Sequence, residues 1–513
     1  MIALALLLAA QTPANCEAIR TMSTPQTIVM SADVVPAGIF TPPLAPASAG
    51  RAGGPPPQRG NAPAPARQAA APAPAPPEPI PQHCRVKLTL KPTSDSNIYS
   101  ELWMPTDNWN GKLLVVGNGG FAGSIQGYGD MQIALRLGYA TAATDTGHSA
   151  ADGPVSGGMF ALGHPEKIVD FAYRALHDTT VESKRLIKTM YSRSVQMSYY
   201  KGCSTGGRMG IMAAIRFPDD YDGIIAGALA NRHIHMHTAG FARQVELARN
   251  PDMALSPEKA QLVNDAVMNK CNVLHETFLN NPQQCSFDFS TLLCKGGTEN
   301  NECLTQPQLN AVEMFYGGVK NRKGEVIFAG QVPGNPVTPM RSNQNINVTD
   351  TVRIWAFQDE KYDWRSFDID RDMPIIDQKI GFVDATDPDL KKFKAHGGKL
   401  LLYAGWADTG ITPKNTVEYY QSVTKKMGKE TTDFARLFMV PGMGHCRGGD
   451  GPDSFDSIGT LEKWREKGQA PVTMAAVNRT SGLSRPLCAY PQYAKYKGTG
   501  DLKDAANWSC VAP

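Results

Sequence analysis

Tyr199-Tyr200-Lys201-Gly202-Cys203-Ser204-Thr205-Gly206-Gly207-Arg208 is the stretch on which the fold turns. It holds Gly-x-Ser-x-Gly between two contrasting runs. Before it, Val195-Gln196-Met197-Ser198-Tyr199-Tyr200 is rich in β-favouring side chains; after it, Met209, Met212, Ala213 and Phe217 recur at helical spacing up to Pro218. A serine at the tip of a sharp strand-to-helix turn is a nucleophile elbow. The crowding of such a turn demands small residues two places before and two places after the serine. Gly202 and Gly206 meet that demand. The cysteine directly before the serine is not part of the general motif.

Working outward, the same rhythm extends on both sides. The apolar run at 112–116 ends in Gly117-Asn118-Gly119-Gly120, and the run at 139–143 is followed by Asp145-Thr146-Gly147-His148. Residues 131–137 between them have helical spacing. Ile168, Ala172, Ala175, Leu176 and Leu186 line one face of a long helix, and 222–226 is the next apolar strand. Upstream, 85–90 and 98–103 alternate like paired strands about a turn at 92–96. Strands alternating with helices, with Gly-rich turns at the strand ends, predict an α/β fold: a largely parallel sheet covered by helices, of the α/β-hydrolase kind. The rhythm breaks over 229–395, a stretch with four cysteines, much Asn and Gln, and scattered aromatics (Phe315, Tyr316, Trp355, Phe357, Tyr362, Trp364, Phe367). It resumes at Lys399-Leu400-Leu401-Leu402-Tyr403, a helix over 413–427 and a strand at 436–440. The expected organisation is a catalytic domain in two parts, 16–228 and 396–513, with 229–395 inserted as a lid over the strand ends, where sites in such sheets lie.

Composition narrows the function. In 513 residues with a net charge of +3 there is no basic patch interleaved with aromatics, so nucleic acid is excluded as a partner. Ile2 to Ala10 is too short to span a bilayer and has the character of a signal-peptide core, so residues 1–15 read as a cleaved leader. Ten cysteines, none in a Cys-x-x-Cys pair, argue against structural zinc and for disulfides in a secreted or periplasmic protein. Residues 41–82 turn to Pro, Ala, Gly and Arg, a composition that cannot bury enough apolar surface to order itself. With Cys16 before it and Cys84 after it, this segment reads as a disordered insertion within one domain.

A serine hydroxyl needs a base to take its proton and a third group to orient that base. Strand 399–403 runs into Ala404-Gly405-Trp406-Ala407-Asp408, and strand 436–440 into Pro441-Gly442-Met443-Gly444-His445-Cys446. Asp408 and His445 therefore stand where an elbow's partners belong, in the order Ser, Asp, His; Asp370 and Asp450 follow no buried strand and are weaker acids. Asp408 also has a capping alternative, since it lies shortly before Pro413. The backbone N–H groups of Thr205 and Gly120, with Gly119 second to Gly120, are the expected oxyanion donors. A phosphate-binding reading of the Gly117–Gly120 loop fails because no Lys-Ser/Thr ending follows. If Ser204 and His445 meet, Cys203 and Cys446 fall within bonding range, and a disulfide would tie the base to the elbow.

These residues resemble the tannase and feruloyl esterase family. Cys203-Ser204, Asp408 and His445-Cys446 match its CS-D-HC signature, and the resemblance runs from Cys84 through the lid to the C-terminal region. It implies a secreted serine carboxylesterase acting on phenolic acid esters such as feruloyl or galloyl esters. A terephthalate monoester hydrolase, an acyltransferase, or a binding protein that keeps the fold are the alternatives. It also implies the pairs Cys16–Cys84, Cys203–Cys446, Cys271–Cys285, Cys294–Cys303 and Cys488–Cys510. Members carry a calcium site in the lid, between the first two lid cysteines; here that stretch has one carboxylate, Glu276, so no cofactor and no metal is expected. His233-Ile234-His235-Met236-His237 at the start of the lid could bind a transition metal if strand-like but would fan apart on a helix, and is read as pocket wall or as structural, not as a metal site. His233, Arg341, Arg353 and Trp355 are the candidates for contact with a small aromatic ester substrate; the arginines would suit a carboxylate on it.

Overall fold

The computed structural model describes residues 15–43, 78–152, 157–295, 300–341, 343, 346 and 348–513. Nearly all of the expected leader, and all of the Pro/Ala-rich insertion except 41–43 and 78–82, lie outside the described residues. Nine strands form the main sheet, in the order β1-β2-β3-β5-β4-β6-β7-β10-β11. They are β1 (Thr27–Val35), β2 (His83–Leu90), β3 (Ile98–Pro105), β4 (Lys112–Val116), β5 (Ala140–Thr144), β6 (Met197–Cys203), β7 (Gly223–Gly227), β10 (Lys399–Gly405) and β11 (Ala435–Val440). A short lid hairpin supplies β8 (Val319–Lys320) and β9 (Val326–Phe328).

The six strands from β5 to β11 are parallel; β1, β2 and β3 run antiparallel along one side. Continuous apolar runs are what parallel strands buried on both faces require, and β4, β7 and β10 supply them. The side chains of these strands and of β6 alternate between two cores. Leu113, Val115, Tyr200, Ile224, Leu400 and Leu402 face one; Leu114, Val116, Tyr199, Ile225, Leu401 and Tyr403 face the other. The paired strands expected at 85–90 and 98–103 are β2 and β3, joined with Leu90 opposite Ile98.

β1 is a correction to the sequence reading, which gave no strand before the insertion. It pairs along its length with β2, Gly38 bridges Ile80, and Cys16 is bonded to Cys84. The insertion therefore joins two neighbouring strands of one sheet. The other four disulfides are also those the resemblance implies.

Four helices matter for the site: α1 (Tyr128–Arg136), α2 (Ala175–Tyr191), α3 (Thr205–Arg216), which follows the elbow, and α4 (His233–Arg249), which opens the lid. The lid leaves the sheet after β7 and returns before β10, and these two strands are direct neighbours. Its two ends are fastened together. Ala385 N donates to Asn231 O, Ile234 N donates to Asp384 Oδ1, and His235 Nδ1 lies 2.7 Å from Asp384 Oδ2.

Candidate active site

The elbow has the strained geometry its sequence demands. Ser204 sits at φ 63° and ψ −124°, outside the regions open to ordinary residues, a cost of roughly 1–3 kcal/mol that the surrounding bonds must offset. Ser204 N donates to Gly227 O, and Ser204 O accepts from Ala230 N and Arg208 N. A Cβ on Gly202 would stand 2.6 Å from the Gly206 backbone, and one on Gly206 2.8 Å from Asn118 O. Neither position admits another residue without the turn opening.

Strands β10 and β11 deliver the other two groups. Asp408 is buried; its Oδ2 lies 2.7 Å from His445 Nδ1, and its Oδ1 accepts from Gly410 N and Ile411 N. The capping alternative is not met: the helix that begins at Pro413 has Thr412 at its N-cap with no side-chain cap bond, and Asp408 Oδ1 instead closes a local turn before it. Asn335, a lid residue that sequence reasoning missed, donates to Asp408 O at 3.0 Å. The loop of His445 is held by Gly444 N donating to Gly448 O and by the Cys446–Cys203 bridge, whose Cα atoms are 5.9 Å apart. That bridge sets the residue after the histidine against the residue before the serine.

The oxyanion donors can be sorted by what they already bind. Gly119 N donates to Gln126 Oε1, so it is spent. Gly120 N has no acceptor among the described residues, and a Cβ on Gly120 would meet open space. Thr205 N is the first amide of α3, free as helix N-termini leave such groups, and Thr205 Oγ1 donates to Gly120 O at 2.7 Å. This hydroxyl couples the two candidate donors.

Beside the elbow lies an aromatic wall. Phe121, next to Gly120, has its ring 5.7 Å from His233, 5.1 Å from His237 and 5.4 Å from Trp355. Phe160 and Phe171 complete it at 5.6 and 5.2 Å from Trp355. Phe171 and Trp355 each sit in a π-helical segment, Asp170–Arg174 and Thr351–Ala356, a backbone widening that recurs at functional sites. Arg208, fully buried in α3, donates its two terminal nitrogens to the carbonyls of Phe171, Ala172 and Val383, pinning elbow, wall and lid end together. Burial pushes its guanidinium down to about 10. The sequence placed the aromatics in the lid; three of the four Phe and Trp rings in this wall precede it, and the one local signal was Phe121 following the Gly-rich loop.

Of the four substrate candidates, His233 and Trp355 come together in this wall. Arg353 does not serve as a free cation: its Nε donates to Asp350 at 2.8 Å and a terminal nitrogen donates to Glu360 O. Arg341 is exposed. Asp370, one of the two weaker acid candidates, takes the backbone N–H of Arg322. The lid loop closed by Cys271–Cys285 offers calcium few donors. Glu276, its one carboxylate, pairs with Arg485, a fully buried arginine lying 3.7 Å from the Trp508 ring centre. Calcium takes about six to eight oxygens, several of them charged. A single carboxylate already neutralised by a guanidinium does not fit that demand.

Residues 84–511 match the tannase and feruloyl esterase family. The chain belongs to that family. An uncharacterized esterase of Xanthomonas campestris pv. campestris is 34% identical over 99% of this chain and 93% of its own length. A probable feruloyl esterase B-2 of Aspergillus terreus is 31% identical over 83% of this chain and 86% of its own. Among solved structures, feruloyl esterase B from Aspergillus oryzae superposes with a TM-score of 0.82 at 27% identity, covering 98% of this chain and 100% of that one. The tannin acyl hydrolase of Aspergillus niger, at 20% identity and a TM-score of 0.72, shares the fold. The relatives of this family are named as esterases, carboxylic ester hydrolases, and the superposed structures share this chain's fold.

Proposed function

We propose that the protein is an exported serine carboxylesterase that hydrolyses phenolic acid esters, feruloyl or galloyl esters among them, through an acyl-enzyme. Ser204 attacks the ester carbonyl while His445 takes its proton; the N–H groups of Thr205 and Gly120 hold the oxyanion. His445 then gives the proton to the leaving alcohol, and Asp408 keeps the imidazole in the right tautomer throughout. Water repeats the sequence on the acyl-enzyme and frees the acid. The observation that carries this reading is the 2.7 Å contact of His445 with a carboxylate bonded at both oxygens, on a loop disulfide-bonded to the elbow. No step uses a metal. Export is supported by five disulfides, which persist in oxidising compartments. Commitment of Arg353 to Asp350 favours a neutral phenolic acyl group over a terephthalate monoester.

Methyl ferulate, methyl gallate and a terephthalate monoester, assayed with the wild type and Ser204→Ala, test the reading. Phenolic esters should be turned over with kcat reduced about 10⁴-fold or more in the variant at unchanged melting temperature. Equal turnover by Ser204→Ala would overturn the mechanism, and binding without turnover by the wild type would leave a binding protein.

A further inference from the structure

His233 and His237 stand one turn apart on α4 with ring centres 4.2 Å from each other, while His235 turns the other way to Asp384. The motif thus fans in part: two of its three rings share a face. His237 Nδ1 has a partner, Thr351 Oγ1 at 2.7 Å. His233 has none: it is 1% exposed, and neither ring nitrogen finds a hydrogen bond among the described residues. An imidazole carries one donor and one acceptor, and leaving both unmade in an apolar shell is costly unless something arrives to use them. The shell is the aromatic wall: Trp355 stacks on His233 at 5.9 Å and 16°, with Phe171 at 5.5 Å and Phe121 edge-on.

Position identifies what arrives. Phe121 directly follows the candidate oxyanion donor Gly120. His233 is three residues beyond Ala230, whose N–H bonds to Ser204 O. The wall therefore stands beside the elbow and the candidate oxyanion donors. We propose that His233, with His237 beside it, is the polar floor of the acyl pocket and binds the ring hydroxyl of a phenolic acyl group, an inference that rests on the esterase reading above. A phenol hydroxyl can donate to the bare nitrogen of a neutral imidazole or accept from its N–H, whereas a carboxylate can only accept. Burial keeps both histidines neutral, His237 pushed down to about 4 and His233 lower than usual as well. Arg208 is close by, but its terminal nitrogens are bound to carbonyls. Phe121, partly exposed and edge-on to His233, is the ring that would have to turn aside to admit a substrate.

The test compares methyl 4-hydroxycinnamate with methyl cinnamate, which lacks only the hydroxyl. Wild-type kcat/KM should favour the phenol by about tenfold or more, since a site built to hydrogen-bond a hydroxyl rejects the analogue without it. His233→Phe should lower kcat/KM for the phenol far more than for methyl cinnamate and so bring the ratio to near one. A wild-type ratio near one, or an unchanged ratio in folded His233→Phe, overturns the proposal; absence of turnover of either ester by the wild type would instead sink the esterase reading. Should His233→Phe not fold, imidazole nitrogen resonances of the inactive Ser204→Ala protein replace it. Free 4-hydroxycinnamate should shift the His233 signals and cinnamate should not. Equal shifts with both acids, or none with either, overturn the proposal. So would zinc alone shifting the His233 and His237 signals together at micromolar concentration, which would make the pair a metal site.

Discussion

Two neighbouring groups of polar side chains in this molecule are treated in opposite ways. Around Asp408 and His445 each carboxylate oxygen has a partner, and a covalent bridge fixes the base's loop to the elbow. In the aromatic wall, His233 is buried with neither nitrogen satisfied. On the esterase reading and the acyl-pocket proposal, the difference separates two jobs. Groups that must be in position before the reaction are fixed within the protein; groups that recognise a substrate keep their hydrogen-bonding capacity for it.

If that contrast is right, loosening the fixed group should cost rate, not binding. Replacing the bridge by Cys203→Ser/Cys446→Ser leaves Ser204, His445 and Asp408 in place but frees one loop from the other. We expect kcat to fall about 10- to 100-fold with KM changed less than about threefold, the size of effect that a displacement near 1 Å produces. Steady-state kinetics on methyl ferulate measure it. An unchanged kcat would mean that the Asp408 contact and the Gly444–Gly448 turn hold His445 without the bridge.

The same contrast explains how far the sequence could be read. The fixed group was legible because its parts obey local rules: continuous apolar strands, a glycine on each side of Ser204, and acid and base directly after β10 and β11. The wall was not. It gathers Phe121, Phe160 and Phe171 from before the elbow with His233 and Trp355 from the lid, and it shapes two of its segments as π-helices that no short-range periodicity announces. Arg353 looked available in the sequence because Asp350, three residues away, carries no sign of whether it will fold back on it. β1 was missed for a related reason. It is an edge strand with Ile28 and Met30 exposed, so its burial pattern is not the alternation of a half-buried strand, and its partner β2 lies beyond the Pro/Ala-rich stretch.

The unsatisfied group should also mark the protein's response to acid. His148, stacked on Phe160 at 3.6 Å, is pushed by burial to about 3, His237 to about 4, and His233 is lowered too. Below pH 6.5 the unfolded chain takes up protons at these positions and the native state does not, so stability falls with pH, by at most about 1.4 kcal/mol per pH unit for each fully buried histidine and less for partly exposed His237. Above pH 6.5 both states are neutral and the contribution is flat. Denaturant midpoints between pH 7 and 4 should therefore drop, and His148→Phe should flatten the slope over pH 6.5 to 4. A slope unaltered in that variant would show that carboxylates, not buried imidazoles, govern the acid limb.

The smallest expected effect lies in the lid loop closed by Cys271–Cys285, which belongs with the fixed group. There a permanent cation already occupies the loop's one carboxylate: Arg485, on the strand Ser484–Cys488, binds Glu276 and donates to Leu502 O and Ser484 O. A guanidinium does not dissociate, and its bonds to the loop and to the C-terminal segment do not depend on solution calcium. Incubation with a chelator should then leave melting temperature and kcat/KM unchanged, within about 1 °C and 20%. Arg485→Met should lower the melting temperature by several degrees, because a buried carboxylate would lose its partner. Calcium added to the wild type should have no effect. Loss of activity on chelation, restored by calcium, would place a metal where the arginine is argued to suffice, and would move the lid loop to the other side of the contrast, among the sites that wait for a ligand.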